Sequence, residues 1–280
     1  MTTALIFAAS AAGLVAGGLI TMSAGRVACG EALSLRSRCG ACRASLRHGE
    51  TIPVLSWLVL RGRCRHCSAR IGFMYPVVES STSALLVAVA LRFGWDWRLF
   101  PPLVLAVALM ALSLVDLYSY RLPDRLVFPA LGVSASAILA EAVNRGDRWV
   151  LWYALFGMCV YFSFLLVVHL ISPRGLGFGD VKLSLLLGLN LGWAAGVAGG
   201  DWVDVVRYVF WAQLLAGLIG LVGGILIGVL RRKLERDVLP DPQVVDGQPV
   251  GILAQSFPFG PALACSTMAV VLFADSAPAF

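Results

Sequence analysis

Eight apolar runs, roughly 4–25, 76–92, 99–117, 126–143, 149–171, 181–199, 204–230 and 259–274, leave this 280-residue chain few ways to fold. A helix needs about 20 residues to cross about 30 Å of hydrocarbon, and most of these runs approach or reach that length. Only helices or closed barrels satisfy the backbone in lipid, and the runs are too continuous for alternating barrel strands. Composition agrees, with 59% of residues hydrophobic and 14% charged, against about half and about a quarter in a soluble domain. The expected fold is all-α: a polytopic membrane protein with about eight transmembrane helices.

The distribution of positive charge sets the expected orientation. If the N-terminus lies outside, the segments 26–75, 118–125, 172–182 and 231–258 face inward. They hold all but five of the 22 Lys and Arg residues, the exceptions being Arg92, Arg98, Arg145, Arg148 and Arg207. Enrichment of Lys and Arg in cytoplasmic loops is the main topology signal in a sequence. The first run has no Lys or Arg before Arg26, so it lacks the basic start of a secretory signal and reads as a permanent span. Basic inner loops facing anionic lipid account for the +6 net charge. No nucleic-acid partner is expected.

The one large polar segment lies between the first two runs and carries Cys39-Gly-Ala-Cys42 and Cys64-Arg-His-Cys67, with 21 residues between the pairs. Each Cys-x-x-Cys places two thiolates on one turn, and two such turns complete a tetrahedral four-sulfur site. So small and polar a loop builds a poor core of its own, and a bound metal would supply much of its folding energy. Structural zinc is the expected ligand, since four thiolates leave no open position for water. His48 and His66 are alternative ligands. Disulfides, a redox-active pair and chance spacing are the competing readings, although the inner location implies a reducing compartment. Cys29, Cys159 and Cys265 lie apart from this set, with packing as the expected role.

Two carboxylates stand at the ends of apolar runs. Asp116 closes the third and Asp180 opens the sixth, which puts both at the inner rim under the orientation above. A charged side chain at membrane depth costs a few kcal/mol or more unless it is paired, solvated or used. Simpler roles exist for each: Asp116 as a snorkelling helix end, Asp180 as a helix cap, Asp124 as a cap behind Pro123. Gly175, Gly177 and Gly179 beside Asp180 allow tight turning and close approach of another chain.

The combination of Asp116-x5-Leu-Pro-Asp124 with Gly177-x-Gly-Asp180, in an eight-span frame with an inner four-cysteine loop, resembles the type IV prepilin peptidases. Ile52-Pro-Val-Leu-Ser-Trp57, Arg61-Gly-Arg-Cys64 and Tyr75-Pro-Val-Val-Glu79 extend the likeness. The resemblance implies a bifunctional enzyme of the bacterial cytoplasmic membrane. Such an enzyme cleaves the basic leader from prepilins or pilin-like secretion subunits at the cytoplasmic side, and many then N-methylate the new terminus with S-adenosylmethionine. Asp116 and Asp180 match the catalytic aspartates; Cys39, Cys42, Cys64 and Cys67 match the metal-binding set. The chain departs from the family pattern at 17–22, 23–27 and Thr51, a region associated with methylation.

These readings divide the chain into a first span (1–28), a cytoplasmic four-cysteine loop (29–75) and a membrane peptidase unit (76–280) with an inner loop at 231–258. Glu79 and Asp124 are expected to help receive a basic leader, and Lys182 and Arg121 to anchor at the rim or bias the acids. The competing classes lack their signatures. There is no His-Glu-x-x-His for a metalloprotease, and His169 is the only span histidine available to an activated serine. Nor are there the repeated halves common in transporters. A zinc-ribbon assembly scaffold is the nonenzymatic alternative.

Overall fold

In a computed structural model, residues 2–28, 39, 42, 44–45, 52–119, 122–173, 175–234 and 259–273 are described. Helices α1 (Thr2–Ala28), α3 (Met74–Phe93), α4 (Phe100–Ser119), α5 (Asp124–Arg145), α6 (Trp149–Ile171), α7 (Phe178–Val197), α8 (Trp202–Leu234) and α9 (Gly260–Phe273) coincide with the eight apolar runs. A single turn, α2 (Leu55–Val59), lies between α1 and α3. No strand occurs among the described residues; one isolated bridge joins Arg63 and Arg70. The run expected over 204–230 is longer than its apolar part. α8 reaches Leu234, so the start of the inner loop expected at 231–258 is helical, while 235–258 lie outside the described residues.

Helix ends follow local chemistry. Gly94 closes α3 and Gly146 closes α5, both at positive φ (64° and 71°), where a side chain would strain the backbone. Pro101 and Pro102 sit in the first turn of α4 and Pro261 in that of α9, where a missing N–H costs no helical bond.

Among the described residues, six helices are long and apolar enough to span a membrane: α1, α3, α4 with its preceding turn, α5, α6 and α8. The other two differ for visible reasons. α9 has 14 residues. α7 has 20 but carries Asp180, Lys182, Ser184 and Asn190. It sits at the centre of the bundle, with Leu183, Leu186, Leu187, Leu191 and Trp193 wholly enclosed. Protein rather than lipid surrounds it, so polar groups find partners. The Asn190 side-chain amide donates to Ser134 Oγ of α5 at 2.8 Å, and Trp193 Nε1 donates to Glu141 Oε2 at 3.3 Å.

Glycines bring α7 against α6 backbone to backbone. A Cβ on Gly157 or Gly188 would strike the opposing helix's main chain, and one on Gly192 would strike the Tyr153 carbonyl. This is the small-residue contact by which membrane helices gain close packing without a hydrophobic driving force. α1 and α3 approach in the same way. A Cβ on Gly13 would stand 2.5 Å from Ser83 Cα, and one on Gly17 2.7 Å from Glu79 Cα.

Candidate active site

The ends of α4 and α6 and the starts of α3, α5, α7 and α9 gather at one rim of the bundle. Each candidate group arrives on one of these ends. Asp116 lies in the last turn of α4, only 6% exposed. Its Oδ2 accepts the backbone N–H of Gly260 at 3.1 Å. That N–H belongs to the first residue of α9, where unsatisfied amides and the helix dipole favour an anion. A carboxylate at the C-terminal end of its own helix, an unfavourable place, is thus stabilised by the N-terminal end of another.

Asp180 stands in the first turn of α7, half-buried. The two carboxylates are close enough for the charge of one to act on the other, and the phenol of buried Tyr161 lies within similar reach of Asp180. Tyr161 itself donates to Gln213 Oε1 at 3.0 Å, linking α6 to α8 beneath the acid.

The glycine-rich turn before Asp180 is held from two sides. His169 Nδ1 of α6 is 2.8 Å from the Leu176 carbonyl, and its ring lies 5.5 Å from that of Phe178. A Cβ at Gly179 would come within 3.2 Å of Leu122 Cβ, so the glycine lets the 122–124 segment lie on the start of α7. Asp124 is the first residue of α5, and its carboxylate receives Lys182 Nζ at 2.6 and 2.9 Å. Lys182 also lies over the Phe178 ring, 5.2 Å from its centre.

Several sequence expectations change here. Glu79, expected to meet a basic leader, is buried and accepts the Val54 N–H at 2.6 Å. Asp124, expected in the same role, is occupied by Lys182. Lys182 therefore pairs with Asp124 rather than with Asp116 or Asp180, and Arg121 and His48 lie outside the described residues. Gly260, Tyr161 and Gln213 had no sequence signal as site residues, since only the fold brings them near Asp116 and Asp180.

The four cysteines come together on the same rim, between the end of α1 and the start of α3. All their sulfurs lie within 4.8 Å of one another, with Cys39 Sγ and Cys67 Sγ 3.8 Å apart. Four sulfurs bound tetrahedrally to zinc at about 2.3 Å stand about 3.8 Å from each other, so the donor set fits that ion. The two turns share one backbone pattern. Cys39 N–H donates to Ala44 O at 3.0 Å, and Cys64 N–H to Ala69 O at 2.8 Å. His66, though adjacent in sequence, is not part of the cluster. Trp57 organises the second turn: its Nε1 donates to Ile71 O at 3.2 Å, its ring meets Phe73 edge-on, and Gly62 gives it room.

A helical bundle with spans of membrane length that brings two carboxylates to one rim is, by fold, a polytopic membrane protein with acids at its edge. Comparison with known proteins narrows the class. The Bacterial Peptidase A24 N-terminal domain matches residues 11–93, and the Type IV leader peptidase family matches residues 103–229. The chain is 31% identical to the prepilin leader peptidase/N-methyltransferase of Bacillus subtilis (strain 168), over 88% of this chain and 84% of that one. It is 35% identical to the protein of the same description from Aeromonas hydrophila, over 86% of this chain and 72% of that one. For that of Pseudomonas aeruginosa the identity is 32%, over 85% and 72%. No solved structure matches. The chain belongs to the type IV leader peptidase family.

Proposed function

We propose that Asp116 and Asp180 form the catalytic pair of a prepilin leader peptidase that works at the cytoplasmic face of a bacterial inner membrane. The substrates are prepilins, as the relatives' names imply, with pilin-like secretion subunits included by the resemblance of the aspartate motifs. The observation that carries this reading is the placement of two acids, 64 positions apart in sequence, at one rim of the bundle, Asp116 in the last turn of α4 and Asp180 in the first turn of α7. The basic segments 26–75, 118–125 and 172–182 support the cytoplasmic assignment of that rim.

The chemistry follows from proximity. Two neighbouring carboxylates resist double ionisation, so they hold one proton between them. The ionised acid takes a proton from water as the water oxygen attacks the scissile carbonyl carbon, and the protonated acid donates to the carbonyl oxygen. When the tetrahedral intermediate collapses, the C–N bond breaks and the leaving amine gains a proton. The pair returns to its singly protonated state. Gly260 N–H fixes one Asp116 oxygen, leaving the other for water or substrate.

In this reading Cys39, Cys42, Cys64 and Cys67 hold a structural zinc ion, which the sulfur spacing supports. Zinc would close the lobe without entering the peptidase reaction. The relatives' names also support methylation of the new α-amino group, with S-adenosylmethionine as donor. The test is purified full-length protein with a prepilin peptide, followed by mass spectrometry of the mature N-terminus. A shortened, methylated product is expected from the wild type, and no cleavage from Asp116→Ala or Asp180→Ala. Cleavage by either variant at the wild-type rate would refute the pair.

A further inference from the structure

Where the four-cysteine lobe meets the membrane helices, the backbone is strained. Val54 has φ 59° and ψ −50°, and the Leu55 N–H donates to Pro53 O at 2.6 Å. These values describe a γ-turn with positive φ, a rare and strained form. Val54 is also β-branched, the residue type least suited to positive φ. Such outliers persist only where their surroundings over-determine them.

The surroundings are visible. The Val54 N–H donates to Glu79 Oε2 at 2.6 Å. Glu79 is 7% exposed, in the first turns of α3 where Gly17 of α1 packs against it. Gly18 of α1 completes the socket, since a Cβ there would lie 3.3 Å from Pro53 and 3.7 Å from Glu79 Oε1. A buried carboxylate needs hydrogen bonds to remain tolerable, and a strained amide offers one. Each compensates for the other. The rim side of this junction leads toward the site: Tyr75, one turn before Glu79, lies within electrostatic reach of Tyr118, Cys39 and Glu79. Tyr118 is two residues beyond Asp116 on α4.

We propose that Glu79 is a positioning residue: by holding Val54 in its strained turn it latches the four-cysteine lobe onto α1 and α3, so that the lobe stands beside the Asp116 rim and helps bind the substrate segment that leaves the membrane there. Glu79 touches neither acid of the pair, so loss of the latch raises KM and leaves kcat in place. The inference deepens the peptidase reading and rests on it for the kinetic part. The latch itself has a readout that needs no substrate.

The experiment uses the full chain in nanodiscs with zinc supplied, and compares wild type, Glu79→Gln, Glu79→Ala, Val54→Gly and the double variant Glu79→Ala/Val54→Gly. Trypsin nicking between Arg61 and Arg70 reports the latch, and cleavage of a prepilin peptide reports KM and kcat. For Glu79→Ala, nicking and KM are expected to rise about tenfold with kcat within about twofold, the scale set by release of one strained residue. Glu79→Gln keeps an acceptor oxygen and stays near wild type. Glycine accepts positive φ without support, so the double variant recovers. Wild-type nicking and KM in Glu79→Ala, loss in Glu79→Gln equal to that in Glu79→Ala, a fall in kcat without a change in KM, or no recovery in the double variant each overturns the latch. If the wild type cuts no prepilin peptide, the peptidase reading fails, and the nicking series still decides the latch.

Discussion

Gly260 donates its backbone N–H to Asp116 Oδ2 across 144 positions of sequence. The glycine is there for space as well as for the amide. A Cβ at this position would stand 2.6 Å from the same carboxylate oxygen.

Gly260→Ala is therefore expected to push Asp116 out of place. A misplacement of about 1 Å can cost about 100-fold in rate. Peptide cleavage should fall by that order while the detergent-solubilised protein keeps most of its thermal stability. Wild-type cleavage by Gly260→Ala would show that Asp116 does not depend on this contact.

The α6–α7 seam makes a stability prediction. Gly192→Ala places a methyl group against the Tyr153 carbonyl, where neither backbone has room. Overpacking of this kind costs about 1–3 kcal/mol. A lowered thermal midpoint in detergent is the expected result, larger than for Gly132→Ala, where a Cβ meets nothing within 4 Å.

The Lys182–Asp124 pair is only partly shielded, with side-chain exposures of 25% and 53%. Its contribution to stability should be small, since exposed pairs give about 0–1 kcal/mol. Its place is more informative: it ties the start of α5 to the helix that carries Asp180. Lys182→Met should slow cleavage several-fold with little change in melting temperature. Exchanging the charges in Asp124→Lys/Lys182→Asp should restore part of the rate. A double variant slower than both single ones would argue against the tie.

Metal removal should act locally. Cys39→Ser, or a strong chelator, takes away a sulfur or its ion from the cluster, and a small lobe held by metal loses much of its folding energy. Elemental analysis should find one zinc ion per wild-type chain and little in the variant. Trypsin should then cut the lobe faster between Arg61 and Arg70. Full zinc content in Cys39→Ser would remove that residue from the ligand set.

Much of this arrangement was legible because hydrophobic runs and helices obey the same length rule. Asp116 and Asp180 could be assigned to one rim because alternate span ends share a side, and the Cys-x-x-Cys turns bring their own local geometry. What escaped was contact made at a distance. Gly260 follows a polar segment with no periodicity, and nothing in Pro-Phe-Gly-Pro points at residue 116. Tyr161 and Gln213 look like ordinary members of apolar runs. Glu79 and Asp124 were expected to help receive a basic leader because a sequence does not show which neighbours already hold them. The polar content of α7 was visible, but its cause, a helix enclosed by other helices, was not.

The glycine seam has a mechanical corollary. With Gly157, Gly188 and Gly192 pressed main chain to main chain, α7 cannot slide or roll alone; it travels with α6 as a single rod. Asp180 thus rides on a helix pair locked main chain to main chain, whereas the Asp116 carboxylate is held through one backbone N–H, that of Gly260.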